Sequence, residues 1–233
     1  MKKIPFLSLA AGMLLFFSCN TDKMKSSKNV ELETDLQKFS YSLGTSAGKY
    51  YAQNGLDSID VAAFTAGLQD ALTGKELKIT EQEADKIIRD FMQAASDKKN
   101  AALKKEGEEF LAENAKKDSV EVLPDGLQYK VIKMGDGPKP TVNDKVKVHY
   151  EGRLIDGTIF DSSYRRGEPV TFPVTGVIKG WTEILQMMPV GSIWEVYVPY
   201  NLAYGERGAG QTIPPYATLI FKIELLDIEK PKQ

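Results

Sequence analysis

The chain has 233 residues, 42 % hydrophobic and 27 % charged, with a formal net charge of −2. That balance fits a soluble globular chain with one large or two modest cores, excludes a disordered or membrane-embedded one, and gives no sign of nucleic acid as a partner. One histidine, His149, and one cysteine, Cys19, leave no material for a Ser/Cys–His triad or a metal cluster, so neither metal nor cofactor is expected.

Lys2 and Lys3 precede an apolar run over residues 4–17, too short to span a bilayer and shaped like an export signal. The run ends at Ser18-Cys19-Asn20, which resembles the lipobox of bacterial lipoproteins, with Phe16 where Leu is usual and Ser18 fitting. The resemblance implies cleavage after residue 18 and acylation of Cys19. An ordinary cleaved signal with an incidental cysteine is the alternative. Asn20 in place of Asp implies the outer membrane, and several acyl chains on one residue would anchor stably. Loss of residues 1–18 takes the net charge from −2 to −4. Residues 19–32, rich in Lys, Ser, Asn and Asp, read as a flexible tether.

Three helical patterns follow. Leu36, Phe39, Leu43, Ala47 and Tyr50 recur at helical spacing within residues 33–53, which end at Asn54-Gly55. Asp60 caps a second pattern, with Val61, Phe64, Leu68 and Leu72 on one face and Thr73-Gly74 at its end. Thr80-x-x-Glu83 is a capping box opening a third helix with no strong breaker before about Lys117. Its length would be roughly 55 Å. Ala84, Ile87, Ile88, Phe91 and Ala95 give its first third an apolar face suited to packing on the two shorter helices. Residues 96–109 are mostly charged or Ala and predict a solvated connecting helix, with Gly107 a weak point where it could bend.

Beyond Lys117 the texture becomes strand-like. Residues 120–123, 127–134, 145–154, 170–174, 193–199 and 217–228 are β-rich runs between Gly, Pro, Asn and Asp turns, and residues 181–187 fit one short helix. An antiparallel sheet with one helix against it, after an all-α region, makes the chain α+β, with a domain boundary near residue 118. On composition alone, Phe160, Trp181 and Phe221 fit an ordinary core as well as a pocket. His149 has no second ligand residue and reads as structural, and Gly205, Gly208 and Gly210 lack the Lys-Ser/Thr of a phosphate loop.

Five words in fixed order carry a sharper signal: Val148-His149-Tyr150-Glu151-Gly152, residues 157–163, Val177-Ile178-Lys179-Gly180-Trp181, residues 199–205, and residues 213–225 beginning Ile213-Pro214-Pro215. Together they resemble an FKBP-type peptidyl-prolyl cis/trans isomerase domain over residues 126–229, which implies an isomerase domain of residues 119–233. The resemblance implies a pocket of Tyr150, Phe160, Asp161, Phe172, Val177, Ile178, Trp181, Tyr204, Ile213 and Phe221. Trp181 would be its floor, the Tyr204 hydroxyl and the Ile178 N–H would bond substrate carbonyls, and Asp161 would be a polar edge. Tyr150, Phe160, Asp161, Trp181 and Tyr204 would carry catalysis. Val170 stands where many members have a wall aromatic, and residues 206–212 lack a histidine or aromatic at the loop tip. Both departures imply a more open rim and an altered sequence preference.

Residues 39–44 (Phe-Ser-Tyr-Ser-Leu-Gly), residues 67–71 (Gly-Leu-Gln-Asp-Ala) and the long helix resemble the helical N-terminal region of Mip-like and FkpA-like bacterial isomerases. That implies a homodimer through residues 33–95, within a helical region of residues 33–118. A monomeric three-helix cap is the alternative. The implied function is isomerisation of Xaa–Pro bonds in exported proteins, from a lipid anchor in the outer membrane facing the periplasm, with proline-containing polypeptides as clients. A dimeric holdase whose pocket serves only for binding is the competing reading, and an adhesin would need surface display.

Overall fold

The computed structural model describes residues 30–229. The export segment, Cys19 and the tether up to residue 29 lie outside the described residues. By contacts the chain forms one unit ending at Ala84 and a second beginning at Asp85. The division therefore falls in the first turn of the long helix, whereas sequence texture places it near residue 118.

The first unit holds α1 (Asp35–Gln53) and α2 (Val61–Thr73). Local chemistry sets their ends. Thr34 and Gln37 form a reciprocal capping box on α1, and the Asp60 carboxylate accepts from Ala63 N–H at 2.9 Å at the start of α2. Gly74 closes α2 in the left-handed region (φ 68°), where glycine carries no Cβ penalty. Neither helix has a buried residue. Between α2 and residues 77–84 runs a groove of about 710 Å³ lined by Ala63, Ala66, Gly67, Ala71, Leu77 and Ile79.

The long helix α3 spans Glu81–Asn114 and starts on the expected box, with Thr80 N–H donating to Glu83 at 2.9 Å. Ile87, Ile88 and Phe91 are exposed. Its second half departs from expectation. Gly107 and Asn114 are buried, and Leu103, Lys104, Phe110 and Leu111 are half-buried on the same face. The Asn114 amide donates to Gln128 at 2.9 Å, Gln128 donates to the Leu111 carbonyl at 2.9 Å, and Phe110 lies 6.1 Å from the Tyr197 ring. Residues 96–109 are thus not a uniformly solvated rod, and Gly107 is a packing position in a continuous helix.

Seven antiparallel strands follow: β1 (Glu121–Val122), β2 (Gln128–Lys133), β3 (Lys145–Leu154), β4 (Ile159–Ser162), β5 (Val170–Pro173), β6 (Ile193–Val198) and β7 (Leu219–Glu229). Their order is β1-β2-β6-β7-β3-β4, and β5 pairs with the first half of β3. Two helices interrupt them, α4 (Ser163–Arg166) and α5 (Lys179–Met187). Both β4 and α4 have only four residues and show no period in the sequence. Alternation along β3 sends Val146, Val148 and Tyr150 inward, where with Trp194, Val196, Phe221, Ile223 and Leu225 they meet Trp181, Ile184 and Leu185 of α5. This is the α+β architecture expected. Among the described residues no helix is long and apolar enough to cross a membrane.

Candidate functional site

The ends of this sheet and the start of α5 converge on a cavity of about 200 Å³ lined by Tyr150, Phe160, Asp161, Phe172, Gly176, Val177, Ile178, Trp181, Tyr204 and Phe221. Every site residue expected from sequence lies there except Ile213. That side chain is buried in the adjoining core, and its backbone pairs with Ala209 across a tight loop (2.8 and 3.1 Å). Gly176 joins the lining, whereas Val170 does not and packs against the core instead.

Trp181 is buried at the centre of an aromatic box. Tyr150, Phe172 and Phe221 meet it edge-on at centroid distances of 5.3, 6.0 and 5.2 Å, with interplanar angles of 89°, 88° and 82°. Edge-to-face contact places positive ring edges against a negative ring face, which fixes these rings beyond simple area burial. Phe160 stands against Phe221 at 5.6 Å and 84°. Gly152 makes that approach possible: a Cβ there would lie 2.6 Å from the Phe160 ring and 2.7 Å from that of Phe221.

The polar edge is one network. The Tyr150 hydroxyl donates to one oxygen of Asp161, Arg166 donates to the other, and a second Arg166 nitrogen donates to the Tyr150 hydroxyl at 3.0 Å. The guanidinium also lies 5.6 Å from the Tyr150 ring centroid. Burial alone would push the Asp161 carboxyl up, but the bonds from Tyr150 and Arg166 outweigh it and hold the group below its ordinary value. Burial, and then the bond to Asp161, raise the Tyr150 hydroxyl. Asp161 is thus a bound, ionised carboxylate at neutral pH, unsuited to carry a proton. Arg166 went unnoticed in the sequence because its tie to Tyr150 is purely tertiary. The only local hint was a basic residue five places after Asp161 in a turn closed by Gly167 (φ 81°).

Ser163 locks this corner. Its buried hydroxyl accepts from Tyr150 N–H at 2.7 Å and lies 3.0 Å from His149 Nδ1. His149 stacks on Tyr164 at 4.7 Å, which makes the lone histidine a structural side chain. Among the described residues no three His, Cys, Asp or Glu side chains form a group able to hold a metal.

Two donors at the cavity remain unengaged. Ile178 caps α5 in extended conformation, and its N–H makes no hydrogen bond to another described residue. Tyr204 lines the mouth, partly exposed, and its hydroxyl likewise has no partner among them. The site therefore combines an apolar floor and walls, two free donors and no proton carrier. It can bind a ring beside an amide and shift that amide's electron distribution without making or breaking a bond.

Comparison with known proteins gives the same answer. The FKBP-type peptidyl-prolyl cis-trans isomerase pattern matches residues 137–226, and that of the domain amino-terminal to such isomerases matches residues 36–131. The chain is 47 % identical over 192 residues to the FKBP-type 22 kDa peptidyl-prolyl cis-trans isomerase of Escherichia coli (strain K12), covering 81 % of this chain and 93 % of that protein. It is 44 % identical over 214 residues to the outer membrane protein MIP of Legionella longbeachae, covering 89 % and 91 %. The crystal structure of FkpA from Escherichia coli superposes with a TM-score of 0.66 at 36 % identity, covering 86 % of this chain and 99 % of that one. These likenesses favour an enzyme over a pocket used only for binding. The chain belongs to the FKBP-type peptidyl-prolyl cis-trans isomerase family and accelerates rotation about Xaa–Pro amide bonds.

Proposed function

We propose that catalysis is carried by Tyr150, Phe160, Asp161, Trp181 and Tyr204, with Phe172, Val177, Ile178 and Phe221 holding the substrate. The observation that carries this reading is the cavity itself, an aromatic box with two unengaged donors at its mouth. Resonance holds an Xaa–Pro amide planar behind a barrier of about 20 kcal/mol and places charge on its carbonyl oxygen, which water solvates well. The twisted amide is less polar. A dry aromatic cavity favours it relative to the planar form, and that preference for the transition state lowers the barrier without proton transfer. In this scheme Trp181 lies under the proline ring, Ile178 N–H and the Tyr204 hydroxyl hold flanking carbonyls, and the Asp161–Arg166 pair fixes Tyr150. Ile213 supports the wall from behind.

The protein works in this reading as a homodimer in the bacterial cell envelope, on exported polypeptides. Exposed apolar faces on α1 and α2 and the apolar groove beside α2 support pairing through residues 33–95. The relative named as an outer membrane protein and the Ser18-Cys19 signal support a lipid anchor at Cys19 in the outer membrane. The helical region of residues 33–118 would then serve assembly, and residues 119–233 catalysis. Radiolabelled palmitate incorporation into wild type and Cys19→Ala tests the anchor; equal labelling would refute it. Sedimentation of the mature chain tests the dimer, which a monomer at micromolar concentration would contradict.

A further inference from the structure

The face by which α3 meets the sheet unit lies against the loop that carries Tyr204. Residues 199–218 leave β6, pass through two short 3₁₀ turns (Tyr200–Leu202 and Gly205–Arg207), and return to β7. The Lys104 ammonium sits 5.6 Å from the Tyr200 ring centroid. Tyr200 in turn packs on Tyr216 at 5.2 Å. Tyr216 is, among the described residues, the one non-glycine residue with positive φ (59°). That conformation costs an ordinary residue about 1–2 kcal/mol and persists only where surroundings enforce it. Its N–H donates to the carbonyl of Gly205 at 3.0 Å, immediately after Tyr204. Two residues beyond Tyr216, Thr218 closes the contact. A Cβ on Gly107 would stand 2.5 Å from Thr218 Oγ1 and 3.3 Å from its Cβ. Leu103 and Glu106 of α3 share a crevice of about 130 Å³ with Pro214, Ala217 and Thr218.

We propose that α3 braces this loop: Lys104 and Gly107 are positioning residues that hold residues 199–218, and with them the Tyr204 hydroxyl, at the mouth of the cavity. Glycine in mid-helix costs about 1 kcal/mol relative to alanine, so its use here calls for a compensating close approach, and the Thr218 contact supplies one. The strained Tyr216 backbone is the joint through which the helix contact reaches Gly205 and Tyr204. The inference rests on the assignment of Tyr204 to the substrate-bonding role.

The test uses the full mature chain, with exchange of an Xaa–Pro peptide for turnover and amide NMR shifts for loop position. Gly107→Ala forces the helix and Thr218 apart. It is expected to lower kcat/KM about fivefold, equivalent to about 1 kcal/mol, and to shift the Tyr204 and Gly205 amides while leaving Phe160 in place. Adding Thr218→Ala to that variant removes the nearest clash and restores both readings. Lys104→Met gives a smaller fall, about twofold, that Lys104→Arg avoids, because a guanidinium keeps a cationic donor beside the Tyr200 ring and hydroxyl. A folded Gly107→Ala protein with full turnover and unmoved Tyr204 shifts overturns the brace, as does a loss that Thr218→Ala leaves uncorrected. Should Gly107→Ala not fold, Lys104→Met decides alone, and wild-type turnover with unmoved shifts rejects the proposal. Tyr204→Phe separates the two levels. Wild-type turnover in that variant removes Tyr204 from the site, whereas the Tyr204 amide still reports whether α3 holds the loop.

Discussion

The helices before residue 80 and the sheet after residue 120 carry comparable apolar patterns, but only one of them buries its pattern within a single chain. Leu36, Phe39, Leu43, Phe64, Leu68 and Leu72 recur at helical spacing and are exposed, Leu72 by 79 %. Val146, Val148, Leu185, Val196 and Ile223 are exposed by 0 %. Periodicity reports that a face is meant to be covered and says nothing about what covers it. The sheet and α5 close on each other, and the pocket residues all lie in this one chain. The first two helices keep an apolar face and groove exposed, which the proposed second copy would cover. On that proposal catalysis and assembly are separable properties.

The largest effect that would break or sharpen this contrast belongs to the pocket. Phe160→Ala removes one wall of the box and is expected to lower kcat/KM at least about tenfold with unchanged far-ultraviolet circular dichroism. An active variant would mean that Phe160 is merely packing. Next comes the core. Leu185→Ala in α5 should cost about 2–5 kcal/mol in urea unfolding, because a fully buried side chain leaves a cavity behind. Leu72→Ala, in contrast, should move that midpoint little, and Leu68→Asp should convert dimer to monomer while leaving peptide turnover intact. Turnover lost on dissociation would show that assembly and catalysis are not separable.

Asp161 gives a smaller, pH-dependent effect. Its carboxyl lies below the ordinary 3.8 in the folded chain, so its contribution to stability is fully present above that value. That contribution is lost as pH falls from 3.8 through the lower folded value. Asp161→Asn should flatten this part of the stability–pH curve and lower turnover several-fold by releasing Tyr150. An unchanged curve would place the network's strength elsewhere. A modest effect on turnover is expected at Tyr204→Phe, which removes one neutral hydrogen bond and should lower kcat/KM by about fivefold or less.

Much of this was legible in the sequence, for physical reasons that differ by element. The Asp60 cap and Gly74 stop define α2 because capping is local chemistry. The strand β3 is legible as a β-rich run between turn residues, and its burial then alternates along the strand. The site residues emerged through the family words, and composition alone could not separate pocket from core. The docked stripe on α3 was hidden because Lys104, Gly107 and Asn114 are not apolar. Their burial depends on Tyr200, Thr218 and Gln128, far along the chain, and charged neighbours at 105, 106, 108 and 109 mask the period. Arg166 and Ser163 were hidden likewise, since each acts on Tyr150 across strands. Ile213, expected in the cavity from its word, is instead buried in the adjoining core, a placement that depends on tertiary packing and leaves no local signal.

The central claim, that an aromatic cavity with no proton carrier accelerates amide rotation, is most directly tested by NMR exchange of a cis/trans Xaa–Pro tetrapeptide. Mature wild type, Phe160→Ala and Asp161→Ala would be compared from about pH 6 to 8, where a bound ionised Asp161 should impose no titration on the rate. The account predicts rapid, pH-independent exchange in wild type and a marked fall in both folded variants. Undiminished exchange in the two variants, or a rate that titrates like a general base across that range, would contradict it.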